Sequence, residues 1–166
     1  FEAFVKECRH SLIVKRIGPM FRVVGTLGSM PKAPSDPRLS LPPNSKPLPA
    51  RLVIIPTYNE KENIRDIVTH VFGLRPEFHV LVVDDGSPDG TAAIVKGLQA
   101  QWPDRLHIIE RSGKLGLGTA YITGFKWAIE RNYDFIFEMD ADFSHDPNDL
   151  VRLYDACATG GADMSV

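Results

Sequence analysis

Residues 51–98 read RLVIIPTYNEKENIRDIVTHVFGLRPEFHVLVVDDGSPDGTAAIVKGL, and they decide the fold because one structural cycle runs through them twice. Leu52-Val53-Ile54-Ile55 is a continuous apolar run, the pattern of a strand buried on both faces of a parallel sheet. Ile64, Ile67, Val68, Val71 and Phe72 then recur at helical spacing, so one helix face covers that sheet. Val80-Leu81-Val82-Val83 is a second strand. Thr91 is placed to cap the next helix, which turns Ile94, Val95 and Leu98 inward with Trp102 beyond them.

The cycle continues toward the C-terminus. Leu106-His107-Ile108-Ile109 is a third, shorter strand, followed by a glycine-containing loop and a helix from about Gly118 to Arg131. Phe135-Ile136-Phe137-Glu138-Met139 is the fourth strand. Asp146-Pro147 reads as N-cap and first-turn proline of a helix with Leu150, Leu153, Tyr154 and Cys157 inward. Asp163-Met164-Ser165-Val166 begins a fifth strand. Strands alternating with helices of this length predict an α/β class: an open, mostly parallel, Rossmann-like sheet with helices on both faces and right-handed crossovers.

Upstream, Pro31, Pro34, Pro37, Pro42, Pro43, Pro47 and Pro49 are interleaved with Ser, Asn and Lys. That composition cannot bury enough apolar surface to offset chain entropy, so residues 30–50 are expected to be an extended linker and the folded domain to span 51–166. Residues 1–29 are an uncertain segment. Between Leu12 and Gly28 an apolar stretch is broken by Lys15, Arg16, Pro19 and Arg22, too short and too charged to span a bilayer. It is read either as sequence outside any folded unit or as a basic surface-seeking segment, and it lacks the order of a signal peptide. Because the chain starts at Phe1 and stops as a strand begins, it is expected to be a fragment, incomplete at its C-terminus.

With 166 residues, 43% hydrophobic, the chain suffices for one domain with a real core. A formal net charge of −2 gives no footprint of a nucleic-acid binder, so an anionic partner must be held by a metal ion or a local patch. Cys8 and Cys157 have no ligand-like spacing, which fits a reducing compartment and argues against a disulfide framework or a zinc site.

Three acidic clusters each follow an apolar strand: Pro56-Thr57-Tyr58-Asn59-Glu60, Asp84-Asp85-Gly86-Ser87-Pro88-Asp89-Gly90 and Asp140-Ala141-Asp142-Phe143-Ser144-His145-Asp146. An open parallel sheet gathers ligands at the carboxyl ends of its strands, so all three are expected to converge on one crevice. Asp140 and Asp142 flank a single small residue, and alternation along the strand lets both aim at one cation. The first turn has no glycine through which a pyrophosphate could approach the backbone, which argues against a dinucleotide fingerprint. Carboxylates repel phosphates, so such a site must bind sugar and base hydroxyls, work through a divalent cation, or both.

These motifs, with Gly116-Leu117-Gly118-Thr119-Ala120-Tyr121 between them, resemble the family 2 glycosyltransferases, and within them most nearly the dolichol-phosphate (polyprenol-phosphate) mannose synthases. The resemblance covers about Arg51 to Val166. It implies a GT-A fold, GDP-mannose as donor, a dolichyl or other polyprenyl phosphate as acceptor, and a Mg²⁺ or Mn²⁺ ion bridging protein and diphosphate. Carried over by motif, Pro56, Tyr58 and Glu60 would hold base and ribose with help from Val83 and Asp85. Asp140 and Asp142 would form the metal motif and serve catalysis, with Ala141 placing its backbone near the nucleotide. Ser144 is a candidate indirect metal ligand.

Other residues keep open readings. Asp89 reads equally well as turn chemistry ahead of Thr91, Asp146 as a helix cap, and His145 as a histidine satisfied by local backbone. In the loop Arg111-Ser112-Gly113-Lys114-Leu115-Gly116, cationic side chains precede a helix N-terminus, which suits a phosphate, with Lys114 the named candidate; a plain connection is the alternative. The expected chemistry is a single inverting displacement by the acceptor phosphate at the cytoplasmic face of a membrane. Rival readings are a UDP-sugar enzyme acting on polyprenyl phosphate, a polysaccharide-extending transferase, and a non-catalytic nucleotide-sugar-binding fragment.

Overall fold

The structure, a computed structural model, describes residues 13–16 and 50–166. The strands are β1 (Ile13–Arg16), β2 (Arg51–Thr57), β3 (His79–Asp84), β4 (Leu106–Glu110), β5 (Phe135–Glu138) and β6 (Met164–Ser165). The helices are α1 (Ile64–Gly73), α2 (Thr91–Gln99), α3 (Leu117–Glu130) and α4 (Asp149–Ala158). They form one sheet in the order β4-β3-β2-β5-β1-β6. β4, β3, β2 and β5 are mutually parallel, while β1 runs antiparallel to both β5 and β6. The strand–helix alternation therefore yields the expected open parallel sheet, with an antiparallel margin.

Alternation along each central strand supplies two cores. Val53 and Ile55 of β2, Val80 and Val82 of β3, and Phe135 and Phe137 of β5 face one way, against Ile67 and Val71 of α1, Val95 of α2 and Leu150 and Leu153 of α4. Leu52, Ile54, Leu81, Val83 and Ile136 face the other way, against Ala120, Tyr121, Phe125 and Ala128 of α3. Strands buried on both faces have no polar alternation, which is why they read as unbroken apolar runs. Cys157 is buried in the first core; Cys8 and residues 30–49 of the expected linker lie outside the described residues.

The boundaries show where local signals were overridden. β2 reaches Thr57 through Pro56, which pairs with Val83 at the last turn of the ladder, where a missing N–H costs least. Thr91 is the first residue of α2 and does not cap it: Gly90, at φ 95°, holds the N-cap position and Asp89 Oδ1 accepts the Thr91 N–H at 3.0 Å. α4 starts at Asp149, later than Asp146-Pro147 suggests, because Asp146 spends its side chain on a turn, accepting the Asn148 N–H at 2.9 Å. Four residues of the N-terminal segment, Ile13–Arg16, form β1 and pair in register with Glu138 back to Phe135. That corrects the reading of this stretch as lying wholly outside the folded unit: the outer edge of β5 presents unpaired backbone groups, and a short strand satisfies them.

α3 approaches the sheet through Gly124. A Cβ built there would lie 2.7 Å from Ile54 Cγ2 and 2.8 Å from Ile54 Cδ1, closer than packed carbon atoms allow. Gly124→Ala gains helix propensity of about 1 kcal/mol but forces α3 off Ile54, and overpacking of this kind costs about 1–3 kcal/mol. Urea denaturation should therefore show Gly124→Ala to be less stable than the parent by about 1 kcal/mol; a more stable variant would mean that the helix–sheet gap is not tight.

Candidate active site

The chain order reverses at β2: β3 and β4 lie to one side, β5 to the other. At such a switch point the loops leaving adjacent strands part and leave a crevice outside the carboxyl ends. Here a cavity of about 280 Å³ opens, lined by Pro56, Thr57, Tyr58 and Glu60 after β2, and by Asp85 after β3. Lys114, Gly116, Leu117 and Ala120 contribute from the loop into α3, and Asp140, Ala141 and Asp142 from beyond β5. Of the residues expected to hold nucleotide, phosphate or metal, Val83 and the candidate indirect ligand Ser144 are not on that wall. Val83 is fully buried in the core behind it, so any support it gives a ligand at this site is indirect.

The positions are held by hydrogen bonds between the loops. Asp84, buried at the end of β3, accepts from Thr57 Oγ1 at 2.8 Å, Ser87 Oγ at 2.6 Å and the Ser87 N–H at 2.9 Å. Ser87 Oγ accepts the Asn59 N–H at 3.0 Å, and Thr91 Oγ1 accepts the Glu60 N–H at 3.0 Å. Asn59 takes a positive φ of 64°, a conformation asparagine tolerates, and so turns the chain between Tyr58 and Glu60. Asp89 accepts from Thr91 and from the Lys61 N–H, which fits its turn reading; burial pushes its carboxyl up, but the hydrogen bonds from Thr91 and Lys61 together hold it below the usual range.

Asp85 is committed to the scaffold. Its Oδ1 is bound by the Arg111 guanidinium, and its Oδ2 accepts the N–H groups of Leu115 at 3.0 Å and Gly116 at 3.1 Å. Arg111 also donates to Thr119 Oγ1 at 2.7 Å and to the Gly116 carbonyl at 3.1 Å. A buried ion pair is sustained only when its remaining donors and acceptors are satisfied, as they are here. Sequence reasoning placed Arg111 among cations facing an anion; the geometry turns it inward. Lys114 instead reaches the cavity, its Nζ 4.4 Å from the centre of the Tyr58 ring, a cation–π contact on an aromatic face that is 36% exposed.

The two aspartates after β5 sit in different surroundings. Asp140 is half-buried, and its Oδ1 accepts the Tyr121 hydroxyl at 2.9 Å. Asp142 is exposed, its Oδ1 accepts the Ser144 N–H at 2.9 Å, and hydrogen bonding from Ser144 keeps its carboxyl below the usual range, with help from His145. Burial, reinforced by Asp140, Glu138 and Asp142, raises the Tyr121 hydroxyl far above its ordinary value, so it stays a neutral donor. Phe143 holds a positive φ of 58° while 42% exposed, a costly backbone state for a bulky residue placed directly after the acidic pair.

Among the described residues, no group of three or more His, Cys, Asp or Glu could hold a metal ion. The donor set nevertheless fits a hard dication that takes few protein carboxylates and completes its shell with water and ligand oxygens. A wider depression of about 490 Å³ lies beyond Glu60, lined by Asn59, Lys61, Glu62, Asn63, Pro88 and Asp89. It lacks both strand-end aspartates, and Asn59, Glu60, Lys61 and Asp89 on its walls are engaged in hydrogen bonds that hold the turns, so the smaller cavity is the stronger candidate.

The contacts that Tyr121, Arg111 and Glu138 make at the site escaped the sequence reading. Tyr121 was visible only as the last residue of the Gly116–Tyr121 motif, and Glu138 as a polar residue within an apolar strand. Glu138 is 3% exposed, and burial, followed by the charge of Asp140, lifts its carboxyl to about 7.

The glycosyl transferase family 2 model matches residues 52–166. The chain is 50% identical over 125 residues to a polyprenol monophosphomannose synthase of Mycolicibacterium smegmatis, covering 75% of this chain and 47% of that protein. It is 49% identical over 115 residues to an undecaprenyl-phosphate mannosyltransferase of Micrococcus luteus, covering 69% and 46%. The chain thus spans about half the length of the curated relatives it matches. Among solved structures, the mannosyltransferase PcManGT from Pyrobaculum calidifontis, in complex with GDP-Man and Mn²⁺, aligns with a TM-score of 0.51 and 28% identity over 62% of this chain and 30% of that one. The sheet and its flanking helices are those of a GT-A glycosyltransferase fold.

The raised Glu138 carboxyl has a signed consequence. Between its unfolded value of about 4.5 and its folded value of about 7 the native state holds the extra proton, so stability falls as pH rises through that window. Glu138→Gln removes the titration. In metal-free buffer its melting temperature should gain on the parent's between pH 5 and 8, by about 2–3 kcal/mol of stability, and a constant difference across that range would show that Glu138 is ionised throughout.

Proposed function

We propose that this chain, which belongs to glycosyl transferase family 2, is the donor-binding half of an inverting mannosyltransferase that moves mannose from GDP-mannose to a polyprenyl phosphate. The observation that carries this reading is the meeting of Tyr58, Glu60, Asp85, Asp140 and Asp142 around one cavity at the switch point. The names of the relatives support the lipid phosphate acceptor, and the GDP-Man and Mn²⁺ of the solved neighbour support the donor and the ion.

In this reading Tyr58 offers its ring face to the base and Glu60 an acceptor for base N–H groups. Asp85 contributes chiefly by fixing the loop that carries Lys114, since Arg111 and two amides already occupy its oxygens. Lys114 leaves the Tyr58 ring for a diphosphate oxygen when the donor enters. Asp140 and Asp142 hold Mg²⁺ or Mn²⁺, with the Ala141 backbone beside the nucleotide. A bound dication supplies charge neutralisation on the departing nucleoside diphosphate.

An acceptor phosphate oxygen then forms the new bond to the anomeric carbon as the bond to the diphosphate breaks on the opposite face. A phosphate monoester has its second pKa at about 6, so the nucleophile is already ionised at neutral pH and no general base is required. The acceptor's lipid places the reaction at a membrane, which we assign to the cytoplasmic face. Among the described residues no helix is long and apolar enough to cross a bilayer.

Calorimetric titration with GDP-mannose tests the site. The parent should bind only with Mn²⁺ or Mg²⁺ present, and Asp142→Ala should abolish that divalent-dependent binding. Retained metal-dependent binding by the variant removes Asp142 from the site. Competition of GDP against UDP decides the base, and preferential displacement by UDP would replace the GDP-mannose reading with a UDP-sugar donor.

A further inference from the structure

Tyr121 is the fifth residue of α3, 5% exposed, its ring packed in the second core with Ala120 and Phe125. A phenylalanine would fill that space equally well, so the hydroxyl needs its own reason to be there: a buried hydroxyl without a partner costs free energy. Its partner is Asp140 Oδ1, 2.9 Å away on another element. On the second carboxylate, the Ser144 N–H does the same for Asp142 Oδ1 at 2.9 Å. Each acid thus has one oxygen pinned by an uncharged donor, and among the described residues no donor bonds the Oδ2 of either.

We propose that Tyr121 is a positioning residue for the cation site: its hydroxyl fixes the rotation of the Asp140 carboxylate so that the second oxygen is presented to the dication. This inference rests on the reading of Asp140 and Asp142 as the cation-holding pair. The Asp142 bond is local and comes with its turn. The Asp140 bond spans 19 positions in the chain and joins α3 to the end of β5. The terminal torsion of an aspartate is broad, so without a donor the carboxylate must lose rotational freedom when it binds. A neutral phenol supplies the restraint without the repulsion that a lysine or arginine would exert on a cation. The same helix is anchored at its first turn, where Thr119 and Gly116 bond Arg111 and Asp85. One rigid element therefore carries both the loop that lines the cavity and the hydroxyl that orients the acid.

The test is Tyr121→Phe in the full chain, titrated with Mn²⁺ in the presence of saturating GDP and followed by calorimetry, beside Asp142→Ala and thermal melts in EDTA. Loss of an outer hydrogen bond to a metal ligand typically weakens metal affinity about tenfold or more, and that rise in the Mn²⁺ dissociation constant is expected with the metal-free melting temperature little changed. A second measurement is the residual GDP binding in excess Mn²⁺ of Asp140→Asn, alone and combined with Tyr121→Phe. If the hydroxyl acts through Asp140, the double variant binds no worse than the single one, and this comparison stands even where Tyr121→Phe is less stable. Parental Mn²⁺ affinity in Tyr121→Phe while Asp142→Ala has lost it, or fully additive losses in the double variant, overturns the role of Tyr121 and leaves the site reading standing. Parental affinity in Asp142→Ala overturns the cation site and this inference with it.

Discussion

The parallel pairing of β2 with β5 is the constraint on which the site depends. Ile54 lies opposite Glu138, and the Met139 N–H continues the ladder to the Ile54 carbonyl at 3.1 Å. Because both strands run the same way, both discharge their following loops on the same edge of the sheet, and because β3 and β4 lie on the other side of β2, those loops diverge. Tyr58 and Glu60 are thereby set beside Asp140 and Asp142, residues separated by about eighty positions in the chain. An antiparallel pairing of the same two strands would send the two clusters to opposite ends of the molecule.

Concentrating acids at that edge creates an electrostatic cost, and the fold meets it differently at each residue. Asp84 is surrounded by hydroxyl and amide donors from Thr57 and Ser87. Asp85 is paired with Arg111 and capped by two loop amides. Glu138, deepest on β5, has its proton affinity raised instead. Asp140 and Asp142 retain the most open coordination, each bonded at a single oxygen by Tyr121 or Ser144. A cavity wall with two under-committed carboxylates, next to three that are settled, is the arrangement expected where a cation or a hydroxyl-rich ligand must be received.

Much of this was legible in the chain. Unbroken runs such as Val80–Val83 identify strands covered on both faces, and the helical spacing of Ile64, Ile67 and Val71 identifies a one-sided cover, since each pattern follows from backbone geometry alone. The acidic clusters could be placed at strand exits for the same reason. The boundaries were less legible because short polar side chains choose among several backbone partners: Thr91 looks like a cap but bonds Glu60, and Asp146 looks like a helix cap but closes a turn. The strand at Ile13–Arg16 was hidden because its partner is β5, more than a hundred residues away, and nothing local announces it.

What the sequence by itself determined is the class of the sheet, the order of its elements and the chemical character of the residues at the strand ends. These follow from periodicities of two and 3.6 residues and from side-chain type, which are properties of short segments. The tertiary structure alone decided that Arg111 turns to Asp85 and away from a ligand, that Lys114 is the loop cation left at the cavity, and that the Tyr121 hydroxyl meets Asp140. Each of those contacts joins different secondary elements, and its existence depends on how α3 and the loop before it settle against the sheet, a relation that no local pattern encodes.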